Sequence, residues 1–295
     1  MLDRMHFCNN CGAPEHEVLY AAGVAQRHQI VHCAACGLMY AYPTGTNLEQ
    51  YTHTGEEPMS LESATVVRSY DRLPDYEPIA HELRDFVPMG GRLLEIGCHA
   101  GVLLERFRAQ GWQVRGVEPD PRAAGFARAQ FGLEVSACTL EQAGLRPQSF
   151  DAVVMLHVIE HLDDPARTVS HIADALRPGG IFVVETPVYD TLVYRLLGRR
   201  ERSLSCDGHV YFYTARTLAA LLERCGFEIV RERRVGRTMS LGRLLWNLGV
   251  MSKSKTLARL IERASAALDL ARRGRLYLNA GDMLRIYARR KHESV

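Results

Sequence analysis

Residues 93–101 read Leu-Leu-Glu-Ile-Gly-Cys-His-Ala-Gly, an apolar run that passes into a turn between two glycines. The apolar run predicts a buried strand, and Gly97 and Gly101 predict a tight turn beyond its carboxyl end. In an open α/β sheet, ligands bind beyond the carboxyl ends of the strands, and such a glycine turn usually holds a nucleotide-like cofactor. His99 occupies a position where these turns commonly carry a further glycine. The stretch therefore predicts a cofactor turn with an unusual residue in it.

The kind of cofactor is indicated by two carboxylates and by the glycine spacing. Glu118 follows Glu95 by 23 residues, at the end of the next predicted strand, and its carboxylate suits two ribose hydroxyls. A pyrophosphate needs the pattern G-x-G-x-x-G. Counted from Gly97, His99 stands at the second glycine position and Val102 at the third, so both of these glycines are absent. The charge of Glu95 would also repel a phosphate. We therefore expect a nucleoside cofactor with no phosphate and a cationic end, such as S-adenosylmethionine.

Short apolar segments alternate with amphipathic ones along most of the chain. The predicted strands cover residues 92–96, 112–118, 133–138, 150–156, 181–186, 227–235 and 282–289. The predicted helices cover residues 76–87, 101–111, 121–132, 165–180 and 214–226. This alternation is typical of a mostly parallel sheet with helices on both faces, so the fold class is α/β and Rossmann-like.

Two C-x-x-C pairs near the N-terminus are each followed by a glycine, and their members are Cys8, Cys11, Cys33 and Cys36. With 21 residues between the pairs, the spacing fits a tetrahedral zinc site of four thiolates. The glycines allow tight turns in which backbone N–H groups point at sulfur atoms. Because segments 17–22 and 26–33 suit short hairpin strands, residues 1–45 are predicted to form a zinc ribbon. Four thiolates leave zinc no open position, which favours a structural role over a catalytic one.

The remaining boundaries follow from composition and charge. Residues 46–89 are predicted to be a linker and a helical cap, and residues 90–295 the α/β domain, with a helical insertion at 240–279. From Arg231 onward, 16 Lys and Arg stand against 5 Asp and Glu, a net charge of +11 within a total of +2. This excess is interpreted as a solvated helical face or as a surface for phosphates, acidic lipids or nucleic acid. The insertion is interpreted as a roof over a substrate pocket, a dimer face or a membrane-surface helix.

The bulk composition indicates a globular protein. A chain of 295 residues with 47% hydrophobic content can form one large α/β domain and a small module. Its apolar runs are all shorter than the roughly 18 residues of a membrane span, and its first residues lack the apolar core of a signal peptide. The four other cysteines have no regular spacing, which is typical of reduced thiols. A cytoplasmic location is expected.

Several stretches, taken in order over residues 90–290, resemble the class I S-adenosylmethionine-dependent methyltransferases: LLEIGCHAG, VRGVEPD, SFDAVVMLHVIEHLDDP, LRPGGIFVVETP, and GFEIVRERRVG with DMLRIYARR. The resemblance implies a seven-stranded sheet whose last strand is antiparallel. It also implies Thr139 and Leu140 beside the adenine, and Leu156 and His157 under the methionine part. The predicted cofactor-binding residues are Glu95, Gly97, His99, Gly101, Glu118, Pro119, Thr139, Leu140, Leu156 and His157. His99 departs from the family, which often has glycine there.

The stretch HVIEHL supplies candidate catalytic residues. His157, Glu160 and His161 share one face if a short helix follows the fourth strand, and His209 precedes a later helix in a predicted active-site loop. In one hypothesis, His161 or His209 removes the proton of an acceptor hydroxyl. In another, Glu160, His161 and His209, with or without His157, bind a divalent metal, as in family members with a Glu-x-x-Glu-His motif. In the third, His161 only caps or packs the short helix.

The leading hypothesis is a small-molecule methyltransferase that acts on a hydroxyl in a sugar or secondary-metabolite pathway. It follows from the resemblance, because histidines at the corresponding positions of similar enzymes line the acceptor pocket. One alternative is an RNA base methyltransferase, which the basic C-terminal segment favours and the few Lys and Arg of the ribbon disfavour. The other is a catalytically silent binding protein. A homodimer is left open.

Overall fold

The computed structural model describes residues 7–42, 59–61, 63–206, 208–240, 261 and 275–292. Its strands are β1 His16–Tyr20, β2 Gln29–Cys33, β3 Met39–Tyr42, β4 Arg92–Ile96, β5 Gln113–Val117, β6 Val135–Ser136, β7 Phe150–Leu156, β8 Leu176–Pro187, β9 Tyr211–Phe212, β10 Phe227–Ser240 and β11 Arg275–Arg290. Its α-helices are α1 Ala64–Leu83, α2 Val102–Ala109, α3 Pro121–Phe131, α4 Pro165–Ala175, α5 Leu192–Leu197 and α6 Ala215–Arg224. Among these residues, no helix has both the length and the apolarity needed to cross a membrane.

The large sheet has seven strands in the order β10-β11-β8-β7-β4-β5-β6. The strands from β8 to β6 pair in parallel, and β11 runs antiparallel to both of its neighbours. This confirms the predicted fold class and the antiparallel last strand. The carboxyl ends of β4, β5 and β7 meet at one edge, where α2, α3 and a 3₁₀ turn begin.

Both faces of the large sheet are buried, as its nearly continuous apolar strands predict. Successive residues of one strand point to opposite faces, and here each face has its own apolar cluster. Val153 and Phe182 belong to the cluster on one face, whereas Val154 and Val183 belong to the cluster on the other. Because neither face is open to solvent, we expect a ligand to bind at the ends of the strands.

A second sheet has four antiparallel strands in the order β1-β2-β3-β9. The first three belong to the N-terminal segment with the cysteines, and the sequence predicted two of them. The fourth, β9, comes from residues far along the chain, with Tyr40 opposite Tyr211 and Met39 opposite Phe212. The N-terminal module therefore shares a sheet with the segment that follows His209.

Several boundaries differ from those predicted. Helix α1 begins at Ala64 rather than at 76 and contains Pro74 and Pro78, since the packing of residues such as Ile79 outweighs the propensity of proline to end a helix. Helix α4 ends at Ala175 rather than at 180, because the next residue already pairs with β7. Strands β10 and β11 pair as far as Ser240 and Arg275. Residue 240 and residues 275–279 of the predicted insertion 240–279 therefore belong to these strands. Its two predicted helices, at 241–250 and 255–274, lie outside the described residues apart from residue 261.

Candidate active site

The cofactor turn after β4 has the backbone that its glycines predict. Gly97, His99 and Gly101 have φ angles of 71°, 47° and 75°, all in the left-handed region. A Cβ atom on Gly97 would lie only 2.5 Å from Cγ2 of Val158, and one on Gly101 would lie 2.8 Å from Cβ of Ala127. Conformation and space therefore both require glycine at 97 and 101. His99 adopts a φ angle that side chains other than glycine seldom take.

Glu118 fastens this turn to the end of β5. One of its carboxylate oxygens accepts the backbone N–H of His99 over 2.7 Å, and the other accepts that of Asp120 over 2.9 Å. Burial raises the pKa of Glu118, and these two hydrogen bonds oppose the rise. The backbone of His99 thus takes part in the turn through its N–H, a contact that does not depend on the imidazole.

Glu95 lies in β4 and is 6% exposed. Its Oε2 atom has no hydrogen-bond partner among the described residues. Burial, and after it the charge of Glu118, raises the pKa of Glu95 well above its ordinary value. A buried carboxyl group without a partner has a strong need for a donor or a cation.

The other predicted cofactor residues lie around the same edge of the sheet. Pro119 separates Glu118 from Asp120, whose side chain caps α3. Beyond β6, Thr139 and Gln142 form a reciprocal capping box over a 3₁₀ turn that begins with the buried Leu140. Leu156 ends β7. Their positions relative to a bound cofactor remain predictions.

His157 follows β7 in a left-handed conformation, with a φ angle of 56°. Its Nε2 atom lies 3.1 Å from Oε1 of Glu185 and 2.7 Å from Nη2 of Arg72. Its Nδ1 atom lies 3.6 Å from Oε1 of Glu160. The ring is therefore held between α1, β8 and the 3₁₀ turn Ile159–His161.

Three charged residues of this network are absent from the set predicted from sequence: Arg72, Glu185 and Arg285. Arg285 of β11 and Glu185 of β8 are both 2% exposed, and Nε of Arg285 donates to Oε2 of Glu185 over 2.8 Å. Burial alone would raise the pKa of Glu185, but its hydrogen bond with His157 and the charge of Arg285 lower it to about 2. For Glu185 and Arg285, a charged residue inside an otherwise apolar strand was the signal available in the sequence.

The structure brings together Glu160, His161 and His209, the three candidate catalytic residues. One ligand atom from each lies within 4.8 Å of the others, although His209 is far from the other two along the chain. The rings of His161 and His209 meet edge to face, with 4.7 Å between their centroids. The 3₁₀ turn Ile159–His161 supplies the first two residues, and the loop before β9 supplies the third.

Burial and neighbouring groups shift the pKa values of Glu160 and His209 in this cluster. Oε2 of Glu160 accepts from Oγ1 of Thr186 over 2.9 Å, while Oε1 has no hydrogen-bond partner among the described residues. Burial would raise the pKa of Glu160, but His157, His161 and His209 lower it to about 2. Burial lowers the pKa of His209 to about 4, against the opposing charge of Glu160. At neutral pH, Glu160 is therefore ionised and His209 is uncharged.

The four N-terminal cysteines also lie together. The Sγ atoms of Cys8 and Cys36 are 3.6 Å apart, as are those of Cys11 and Cys33. Both glycines that follow the pairs close tight turns, because each donates its N–H to the carbonyl of the first cysteine of its pair. Burial favours a raised pKa for Cys33, but the N–H groups of Cys36 and Ala35, with Cys11, lower it to about 7. The tight turns and the N–H groups directed at Sγ of Cys33 are those expected from the glycine after each cysteine pair.

A family model described as a methyltransferase domain matches residues 70–232, more than half of the chain. A ubiquinone biosynthesis O-methyltransferase of Aromatoleum aromaticum is 34% identical over 128 residues, which cover 38% of this chain and 54% of that protein. A probable S-adenosylmethionine-dependent methyltransferase of Mycolicibacterium smegmatis is 32% identical over 155 residues, which cover 52% of this chain and 56% of that protein. The chain spans about half the length of these curated relatives.

Solved structures are similar in fold. An S-adenosylmethionine-dependent methyltransferase of Mesorhizobium loti is 21% identical with a TM-score of 0.50, over 73% of this chain and 98% of that one. A chain in the Haloferax volcanii complex of the Trm112 methyltransferase activator with a methyltransferase is 16% identical with a TM-score of 0.51, over 74% of this chain and 91% of that one. At these identities the likeness concerns the fold alone.

Proposed function

This chain belongs to the methyltransferase family whose domain matches residues 70–232, and on that premise we propose that it transfers the methyl group of S-adenosylmethionine to a hydroxyl of a small acceptor. The observation that carries the proposal is the cluster of Glu160, His161 and His209. Glu160 and His161 follow β7, which lies next in the sheet to β4, and the end of β4 carries the glycine turn. A donor held by that turn and an acceptor held by the cluster would meet at this edge, and alignment supplies much of the rate of a methyl transfer.

In this proposal the cofactor is held by both negatively and positively charged side chains. Each oxygen of Glu118 accepts one backbone N–H and has capacity for a second hydrogen bond, which a ribose hydroxyl would supply. Arg72, beside His157, would pair with the carboxylate of the methionine part. An ammonium group near Glu95 would favour its ionised form and satisfy its unpartnered oxygen.

His161 is the proposed general base. A carbonyl oxygen only accepts, so the contact of 2.8 Å between Nδ1 of His161 and the carbonyl of Gly208 places the ring hydrogen on Nδ1. The neutral ring then carries its lone pair on Nε2, where it can take a proton. The ionised Glu160 would stabilise the resulting imidazolium. His209, whose pKa is lowered to about 4 by burial, is a weak base at neutral pH and is assigned to positioning the acceptor.

The acidity of the acceptor hydroxyl narrows its class. A phenolic hydroxyl, with a pKa near 10, is within reach of an imidazole base, whereas an aliphatic hydroxyl is far less acidic. We therefore propose a phenolic acceptor. Several relatives are named for ubiquinone biosynthesis, which does not support the sugar or secondary-metabolite pathway expected from sequence.

A divalent cation held by Glu160, His161 and His209 is the second candidate. A carboxylate and two neutral imidazoles suit such an ion. The donors fit it, since Oε1 of Glu160 and Nδ1 of His209 are buried without hydrogen-bond partners among the described residues. The hydrogen bond from His161 to a backbone carbonyl is also typical of a metal ligand. When bound, the cation would lower the pKa of an acceptor hydroxyl. His157, engaged with Glu185 and Arg72, would not be a ligand.

The cysteine cluster is proposed to bind structural zinc. Zn–S bonds of about 2.3 Å place tetrahedral sulfur atoms about 3.8 Å apart. The observed separations of 3.6 Å within two Sγ pairs fit that geometry. The domain limits 1–45, 46–89 and 90–295, the cytoplasmic location and a homodimer remain predictions.

The deciding experiment combines cofactor binding with an acceptor screen. Calorimetry with S-adenosylhomocysteine is expected to show binding, and its failure would remove the proposal. S-adenosylmethionine with a labelled methyl group is then offered with small phenols, sugars and total RNA, and label in the phenols is expected. Label in RNA would establish the RNA alternative, and binding without transfer to any acceptor would support a silent binding protein.

Chelation followed by addition of Mg²⁺ separates the general-base mechanism from the cation mechanism. Only the cation mechanism predicts that methyl transfer is lost on chelation and recovered when Mg²⁺ is added.

A further inference from the structure

Val210 links the cysteine module to the catalytic cluster through both of its backbone groups. Its carbonyl accepts the N–H of Ala41 over 2.7 Å, and its own N–H donates to the carbonyl of Glu160 over 2.8 Å. His209 directly precedes it. A strand of the module, the loop that carries His209 and the backbone of Glu160 thus form one hydrogen-bonded row.

The segment after Val210 depends strongly on the module for its strand conformation. Strand β9 has two residues, and both of its ladder pairs are with β3. So short a strand has little stability of its own and needs a template. Outside the module, this segment is held by the hydrogen bond from the Tyr211 hydroxyl to the carbonyl of Asp163, by a bridge between Tyr213 and Val188, and by an edge-to-face contact of Phe212 with Tyr189. On either side of His209, Val210 contacts Ala41 of the module and Gly208 contacts His161 outside it.

The module is also fixed to the rest of the protein at its first cysteine pair. The side chain of Asn9 donates to Oδ1 of Asp164 over 2.8 Å and accepts the N–H of Ala166 over 2.9 Å, at the start of α4. The side chain of Asn10 donates to the carbonyl of Thr217 in α6 over 3.2 Å. Asn9 and Asn10 stand between Cys8 and Cys11, so the turn that would bind zinc is also the turn that docks.

The contacts described for the cofactor turn lie outside the module. Its hydrogen bonds join Gly97 and His99 to Val117 and Glu118, and its close contacts are with Val158 and α3. A disturbance of the module should therefore reach the acceptor side of the site first.

We infer that the four-cysteine module positions the acceptor side of the active site: β3 holds Val210, and through it sets His209 against Glu160 and His161. Ala41 is the positioning residue, and it acts through the Val210 backbone rather than by contact with substrate or cofactor. The inference rests on the proposed function only for the chemical role of the cluster. Its structural content can be tested without any acceptor.

The test compares Ala41→Pro with Ala41→Ser in the full-length, zinc-loaded protein. Proline removes the N–H that binds the Val210 carbonyl, and serine keeps it. Hydrogen–deuterium exchange of peptides that cover 208–212 is expected to rise about fivefold to tenfold in A41P, as the net loss of one backbone hydrogen bond implies. Exchange over 93–118 and the affinity for S-adenosylhomocysteine are expected to stay within about twofold of wild type, and A41S should match wild type in both.

The opposite pattern would overturn the inference. Unchanged exchange over 208–212 in an A41P protein that still binds S-adenosylhomocysteine would show that the module does not hold this loop. Equal increases over 93–118 and 208–212 would show a general structural role instead. If A41P does not fold, Asn9→Ala is the variant that tests the inference. It weakens the docking of the module to the start of α4 and keeps the backbone N–H of every strand residue. Faster exchange confined to 208–212 supports the inference, and unchanged exchange there rejects it. A failed acceptor screen would leave both results valid, so the two proposals fail separately.

Discussion

Nδ1 of His161 lies 2.8 Å from the carbonyl oxygen of Gly208, which joins the turn after β7 to the loop before β9. This contact orients the imidazole and assigns its hydrogen to Nδ1. The same loop brings His209 against His161 and Glu160. The proposed acid–base chemistry at this end of the sheet therefore depends on two segments that only the fold brings together.

The first prediction concerns His161. His161→Asn is expected to lower kcat for methyl transfer by about 10²- to 10⁴-fold, because a positioned general base contributes that much. The affinity for S-adenosylhomocysteine should change less than about twofold, since the cofactor turn is built on Val117, Glu118, Val158 and α3. Labelled methyl transfer and calorimetry measure the two quantities. His171→Asn, on α4 outside the cluster, is the matched control and should retain activity. Full activity in H161N would return His161 to a packing role.

The second prediction concerns the cofactor turn. Gly97→Ala should weaken S-adenosylhomocysteine binding at least about tenfold, because its Cβ atom would lie 2.5 Å from Val158 at a φ angle of 71°. Gly125→Ala is the control, since nothing lies within 4 Å of its added Cβ atom in α3. That variant should bind normally and unfold at a slightly higher temperature, because alanine favours the helix. Normal binding by G97A would show that the turn can shift away from Val158.

The sequence predicted those parts of the site that have local signals. The glycine turn, Glu118 and the HVIEHL stretch follow from spacing along the chain, and the alternation of strands and helices predicted the large sheet. Strand β9 did not follow, because two residues carry no periodicity and their pairing with β3 is a long-range contact. Arg72 was missed because the predicted helix began at residue 76, whereas α1 begins at Ala64. Long-range contacts of this kind have no signature in a single sequence.

The third prediction concerns the buried pair of Glu185 and Arg285. Glu185→Gln should lower the free energy of unfolding by about 3 kcal/mol, because it leaves a buried guanidinium without its counter-charge. Glu77→Gln makes the same change in an exposed pair with Arg106 and should cost less than about 1 kcal/mol. Urea unfolding at neutral pH measures both. Equal losses in the two variants would mean that burial does not strengthen the Glu185 pair.

The fourth prediction concerns His99. His99→Gly should leave S-adenosylhomocysteine binding within about threefold of wild type, because glycine adopts a φ angle of 47° readily and keeps the N–H that Glu118 accepts. Calorimetry on the two proteins is sufficient. A collapse of binding in H99G would assign the imidazole itself to the cofactor site.

The last prediction concerns the pH dependence of stability. His209 has a pKa of about 4 in the folded protein against an ordinary value of 6.5, so between these values the unfolded chain binds a proton that the folded one does not. Its contribution is complete above pH 6.5 and is lost as the pH falls through 4. At a pH of about 5 the loss amounts to about 2 kcal/mol. Glu160 and Glu185, with pKa values lowered to about 2 from 4.5, lose their contributions mainly below this window.

His209→Gln should therefore lose less stability than wild type between a pH of about 7.5 and a pH of about 5, by that same difference of about 2 kcal/mol. Glutamine does not titrate, so it removes the proton uptake of the unfolded chain at this position. Urea unfolding at the two pH values gives the difference directly, and His171→Gln serves as the control for loss of an ordinary histidine. If wild type and H209Q lost equal stability, His209 would have to take up its proton in the folded state, which would contradict both its burial and its assignment as an uncharged member of the cluster.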